Sequence, residues 1–194
     1  MEIPIGAGRS SFELIDFNLL FGELHLEKGM VFLDLACGKG LYAIAAAEAV
    51  GVEGQVRAID LWEEGITHLE QQAAARNLTH IKSTVGDVSR EIPLSSGSVD
   101  TCLMATVLHD FVRMGAAEKV LGETRRVLNS RGTLAIVEFK KVEGPPGPPI
   151  HVRLDPEEVE RMVSARGFSR KRFVDLGPYN YLITFSLKEL LEGD

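Results

Sequence analysis

Short apolar runs alternate with longer stretches of helical spacing along most of the 194 residues. β-like runs fall at 30–35, 55–60, 81–85, 99–105 and 132–138, with helical stretches near 40–50, 63–76 and 115–128. Strands that alternate with helices predict βα units and a mostly parallel sheet. Ahead of the first strand, Phe12, Ile15, Leu19, Leu20 and Leu24 space as one amphipathic helix from about Ser11 to Leu26. Residues 144–149, Gly-Pro-Pro-Gly-Pro-Pro, can be neither helix nor central strand and read as a stiff exposed connection. Asp155-Pro156-Glu157-Glu158 then opens a helix with Asp at the N-cap, Pro in the first turn and Glu at the third position; Gly167 ends it. Two last β-like segments, 169–176 and 180–187, are separated by a short turn containing Gly177-Pro178, which predicts an antiparallel pair.

The segment Val31 to Gly40, VFLDLACGKG, carries the most chemistry. An apolar run ends on Asp34, Gly38 and Gly40 follow, and a helix begins. Bare backbone at the C-terminal end of a strand lets a nucleotide-like ligand approach closely. Gly38-x-Gly40-x-x-Ala43 fits the dinucleotide fingerprint, and Asp60 closes the second strand about 20 residues on, where a carboxylate accepts ribose hydroxyls. Asp34 argues against a dinucleotide, because its charge would face the pyrophosphate. It suits a cationic ligand such as S-adenosylmethionine, which has an ammonium and a sulfonium and no phosphate. A second reading of Asp34, as a cap of its own turn, stands beside this one.

Composition narrows the partners. Lys plus Arg number 21 against 28 Asp plus Glu, a net charge of −7, which gives little electrostatic reason to expect nucleic acid or an anionic membrane surface. The basic clusters Arg125-Arg126 and Arg170-Lys171-Arg172 read as solvated element ends. Cys37 and Cys102 form no C-x-x-C pair, which fits a reduced, cytoplasmic compartment. Met1 to Gly6 lacks a basic and then a long apolar region, so no secretory leader is expected, and no apolar run reaches membrane-spanning length.

Three runs in order, D-L-A-C-G-K-G, G-V-E-G-Q-V-R-A-I-D and V-G-D-V-S-R-E-I-P-L-S-S-G-S-V-D, resemble the class I S-adenosylmethionine-dependent methyltransferases. Within them the chain is most similar to the small enzymes related to ubiquinone/menaquinone C-methyltransferases. The resemblance implies an α/β fold: a Rossmann-like, seven-stranded, mostly parallel sheet with helices on both faces and a C-terminal antiparallel strand pair. It also implies one domain over 1–194, with an N-terminal helical segment over the site (1–27), a cofactor core (28–140) and a C-terminal helix and strand pair (141–194). Carried over by position, Asp34 and the backbone of Ala36, Cys37, Gly38 and Gly40 hold the methionine part. Asp60 takes the ribose hydroxyls, and Leu61 packs on the adenine. Asp87, flanked by Gly86 and Val88, meets the adenine amino group, and Ala105 and Thr106 line the sulfonium side. The Ala36-Cys37 pair departs from the family, which commonly has Gly at one or both places.

The acceptor is expected to be a small molecule, aligned for in-line displacement. His109, followed by Asp110, is the candidate base, with a structural role as the competing reading. Glu138 ends the fifth strand and could face the acceptor; Lys140 and Lys141 could attract an anionic one. Tyr179 to Tyr181 could touch the rim. Two distant cysteines argue against arsenic methylation, and no carboxylate cluster supports a metal. Two other functions stay open: a non-catalytic S-adenosylmethionine-binding or interaction protein, and an NAD-dependent oxidoreductase.

Overall fold

The computed structural model describes residue 8 and residues 10–188. The Met1–Gly6 stretch and the extreme C-terminus at 189–194, both included in the expected domain, lie outside the described residues. Seven strands form one sheet: β1 (Val31–Leu35), β2 (Gln55–Asp60), β3 (Ile81–Val85), β4 (Val99–Ala105), β5 (Leu128–Phe139), β6 (Phe168–Asp175) and β7 (Asn180–Leu187). Their order is β3-β2-β1-β4-β5-β7-β6. The first five run parallel, whereas β7 pairs antiparallel with both β5 and β6.

Helices cover both faces. On one side α1 (Phe17–Leu24), α2 (Leu41–Val50) and α3 (Glu63–Ala75) pack Leu20, Ala43 and Leu69 against Phe32, Leu103 and Leu182. On the other, α4 (Leu108–Arg113), α5 (Ala117–Val127) and α6 (Pro156–Ser164) pack Phe111, Leu121 and Val159 against Leu33, Met104 and Ile183. Strands buried on both faces are apolar at nearly every position, which is why β1 and β4 read as runs rather than alternations.

The N-terminal segment differs from the single helix expected. A short 3-10 turn, Phe12–Leu14, precedes α1, and Asp16 breaks the two apart by taking extended backbone and accepting the Leu19 N–H at 2.9 Å. The stretch expected as one helix near 115–128 becomes α5 alone, and α4 forms ahead of it, separated by Gly115 at φ 68°. β5 starts earlier than expected, with pairing to β4 jumping from Val99↔Leu128 to Thr101↔Thr133. The helix-opening motif of α6 forms as read, including both halves of its capping box between Asp155 and Glu158. No helix among the described residues is long and apolar enough to cross a membrane.

Candidate active site

β1 and β4 are neighbours although β2 and β3 intervene in sequence, so the sheet order reverses between them. A crevice opens at the C-terminal ends of the strands at such a reversal. Here it is a cavity of about 660 Å³, which brings together Asp34, Asp60, Asp87, Ala105 and Asp110 from five separate stretches of chain. Ala36, Cys37, Gly38, Leu61, Gly86, Val88 and Thr106 also line it, so nearly all the cofactor residues named from sequence converge. Gly40 and His109 are not part of the wall, nor are the acceptor-side candidates Glu138, Lys140, Lys141 and Tyr179 to Tyr181.

The glycine turn is held by backbone. Cys37 N–H donates to Ile59 O at 3.1 Å, Gly38 N–H to Asp60 Oδ2 at 2.7 Å and Gly40 N–H to Cys37 O at 2.8 Å. The turn therefore offers its carbonyls to a ligand rather than these amides. Ala36 takes φ 58° and Thr106 φ 54°, a left-handed conformation costly for residues with a Cβ. Gly65 lets α3 press on this turn: a Cβ there would lie 2.5 Å from the Trp62 ring and 2.6 Å from Gly38 O.

Asp34 is 1 % exposed, and its Oδ2 has no hydrogen-bond partner. Burial pushes its carboxyl up to about 7; the Ala43 backbone N–H opposes the shift and the Asp60 charge adds to it. Thus Asp34 does not cap its own turn through that oxygen. A cation seated in the cavity would complete it. Asp60 also ties two elements, accepting Trp62 N–H at Oδ1 at 2.7 Å, yet each of its oxygens keeps a lone pair for a ligand hydroxyl. Asp87 accepts from the Ser89 N–H (3.0 Å) and hydroxyl (2.5 Å) and pairs with Arg90 at 3.2 Å while facing the cavity.

On the acceptor side the structure corrects the expectation for Glu138. Its carboxylate is fully buried and turned away from the cavity, accepting the His109 N–H at 3.1 Å and the His109 Nδ1–H at 2.8 Å. His109 itself is 5 % exposed. Its Nε2 lies 3.6 Å from Asp110 Oδ2, and it is Asp110 that reaches the wall. Burial lowers the His109 pKa, but the Glu138 hydrogen bond and charge, with Asp110, outweigh it and leave the imidazole above its ordinary value. Lys140 is held by Asp175 at 2.7 Å and Lys141 by Glu158 at 2.6 Å, so both serve as strand-end ion pairs. Asn180 and Tyr181 are structural: Tyr181 donates to Leu154 O at 2.8 Å and Asn180 to Glu138 O at 3.3 Å.

Sequence reading missed other parts of the wall. Val107, Phe111 and Met114 line it because α4 exists, and that helix is too short to show a period in sequence. Gly8, Ser10 and Glu13 come from the N-terminal segment. Trp62 also lines the cavity, with Lys39 Nζ 5.9 Å from its ring centre. Its position two residues after Asp60 was the available signal. No group of three or more possible metal ligands is found among the described residues.

The fold and site together define an open α/β domain with a carboxylate-lined cavity at the reversal of its sheet. A family described as a methyltransferase domain matches residues 26–171. The chain belongs to that family, and S-adenosylmethionine is the cofactor that goes with it. A solved S-adenosylmethionine-dependent methyltransferase from Aquifex aeolicus superposes with a TM-score of 0.83 at 29% identity, covering 91% of this chain and 92% of its own. The chain is 38% identical over 78 residues to a demethylmenaquinone methyltransferase of Geobacillus kaustophilus, covering 40% of this chain and 33% of that protein. It is 30% identical over 123 residues to a ubiquinone/menaquinone biosynthesis C-methyltransferase of Rhizobium johnstonii, covering 61% of this chain and 45% of that one. The chain thus spans between a third and a half of these curated relatives.

Proposed function

We propose that this protein transfers the methyl group of S-adenosylmethionine to a small-molecule acceptor bound beside α4. The unpartnered oxygen of Asp34 carries the reading, since a buried carboxylate left open to a cavity asks for a cation. In this reading Asp34 and the turn carbonyls hold the methionine ammonium, and the N-terminus of α2 faces its carboxylate. Asp60 takes the ribose hydroxyls, Leu61 and Trp62 flank the adenine, and Asp87 receives its amino group beside Gly86 and Val88. Ala105 and Thr106 lie toward the sulfonium. The cofactor supplies a carbon already activated for displacement. The chain's own contribution is alignment, exclusion of water and a place for a proton.

The proton acceptor nearest the substrate is Asp110, with His109 behind it. Glu138 fixes the ring through Nδ1–H, which turns Nε2 toward Asp110. Both cysteines are buried and unpaired, in keeping with a reduced, cytoplasmic setting.

Calorimetric titration with S-adenosylhomocysteine, S-adenosylmethionine and NAD in parallel tests the reading. Micromolar binding of the first two and none of NAD is expected. Binding of NAD alone would return Asp34 to a structural role and sink the proposal. With an acceptor in hand, His109→Gln should lower kcat about 100-fold and remove the acidic limb of the pH–rate profile. An unchanged profile would take His109 out of the chemistry.

A further inference from the structure

Beyond the cofactor's contacts, the cavity wall has a marked charge imbalance. It carries five carboxylates, Glu13, Asp34, Asp60, Asp87 and Asp110, against a single cation, Lys39, among the described residues. Lys39 stands at the glycine turn near Trp62, on the cofactor's side. Under the reading above, Asp34, Asp60 and Asp87 face the cofactor, which leaves Asp110 and Glu13 for the acceptor. The remaining acceptor wall is apolar: Val107, Phe111 and Met114. Lys140 and Lys141, which could have greeted an anion, are tied to acidic partners elsewhere. Arg113 touches Asp110 Oδ1 at 3.4 Å from outside the cavity, and its side chain is half exposed. A cofactor with one net positive charge leaves the wall formed by the described residues negative.

We propose that the acceptor is an amine on an apolar body, methylated at nitrogen, with Asp110 and Glu13 recognising its positive charge. The inference rests on the methyl-transfer reading and names its substrate class.

The chemistry follows from where charge moves. The bound ammonium first gives one proton to the Asp110 carboxylate and on to water; the amine so freed uses its lone pair to form the N–C bond as the C–S bond breaks, and that bonding pair goes to sulfur. Positive charge passes from the sulfonium, which becomes a thioether, to the nitrogen. The product leaves as the methylammonium cation, its charge still facing Asp110. Each stage puts positive charge where Asp110 stabilises it. A phenolate, enolate or carboxylate acceptor would instead enter a negative cavity unpaired, which is unfavourable in a partly buried site.

Three probes of matched size test this on protein loaded with S-adenosylhomocysteine: phenethylamine, para-ethylphenol and hydrocinnamate. Phenethylamine should bind at least about tenfold more tightly than hydrocinnamate, the size of one charge-assisted contact. That preference should shrink in Asp110→Asn and in Glu13→Gln; the second residue is exposed, so its replacement leaves the fold intact. With S-adenosylmethionine instead, the product of phenethylamine should carry the methyl on nitrogen. Tighter or equal binding of para-ethylphenol or hydrocinnamate, or binding of none of the three, overturns the inference. Failure of S-adenosylhomocysteine itself to bind overturns the methyl-transfer reading instead, so the two failures are distinguishable.

Discussion

Asp34 couples proton, cofactor and stability at one carboxyl. Its ordinary pKa of 3.8 rises to about 7 in the folded, ligand-free protein, chiefly through burial. Between those values the native state keeps a proton that the unfolded state has lost, so stability falls as pH rises through this window. Three units correspond to about 4 kcal/mol at most. A cationic ligand needs the ionised form, and its binding below pH 7 must expel that proton. Affinity for S-adenosylhomocysteine should therefore climb toward tenfold per unit from pH 5 to pH 7 and then flatten. Asp34→Asn should make affinity flat and weaker by about 1–3 kcal/mol while raising the melting temperature of the ligand-free protein at pH 8. Calorimetry across pH and thermal melts check both signs. A variant that binds as tightly as wild type, or melts lower, would remove the charge from the account. That Asp34 sits in such a place was legible, because a carboxylate ending an apolar run before two glycines has few other uses. That Glu138 turns inward was not, because residues at a strand end give no sign of which neighbour claims them.

Elements recover in proportion to their length and their punctuation. α6 was plain from its capping box, and the last strand pair from the Gly177-Pro178 turn between two β-like runs. α4 was not, since six residues between a strand and Gly115 hold less than two turns of period. The Gly-Pro-Pro-Gly-Pro-Pro connection is mostly exposed, as read, and it is organised by a residue outside it, Arg153. This guanidinium is 3 % exposed and donates to five carbonyls at alternate positions: Lys140, Val142, Gly144, Pro146 and Pro148, at 2.7–3.1 Å. Prolines cannot donate to one another, so the loop's acceptors gather around one side chain that has five donors and no acceptor. Lysine has three donors and no planar fork. Arg153→Lys should cost about 2–3 kcal/mol and lower the melting temperature by roughly 5–10 °C. Limited proteolysis should become fastest between Val142 and Gly147. An unchanged melting temperature would show that the loop holds its shape without the staple.

At the scale of the molecule, the sheet order puts the ligand crevice at one end and assigns the basic clusters structural work. Arg126 donates to Ile92 O and Leu94 O, fixing the loop before β4. Arg170 to Arg172 lie on exposed β6, where charge and a register shift discourage a further strand from pairing. The N-terminal segment closes the other side of the cavity, and a small polar network joins it to two distant elements. Ser11 Oγ meets the Tyr42 hydroxyl of α2 at 2.8 Å, and Thr106 Oγ1 at the end of β4 donates to it at 3.3 Å. The rings of Phe12 and Tyr42 pack edge-on at 5.1 Å, a contact that survives loss of the hydroxyl. Tyr42→Phe therefore isolates the hydrogen bond from the packing. It should cost about 1 kcal/mol and leave the buried Ser11 hydroxyl with one partner. The Leu14 amide, bonded to Ser11 O at 2.8 Å, should exchange with solvent about tenfold faster, while amides of β4 keep their protection. Affinity for S-adenosylhomocysteine should fall with it, since Gly8, Ser10 and Glu13 reach the cavity from the same segment. Unchanged exchange at Leu14 would mean that the aromatic contacts alone hold this side of the cavity closed.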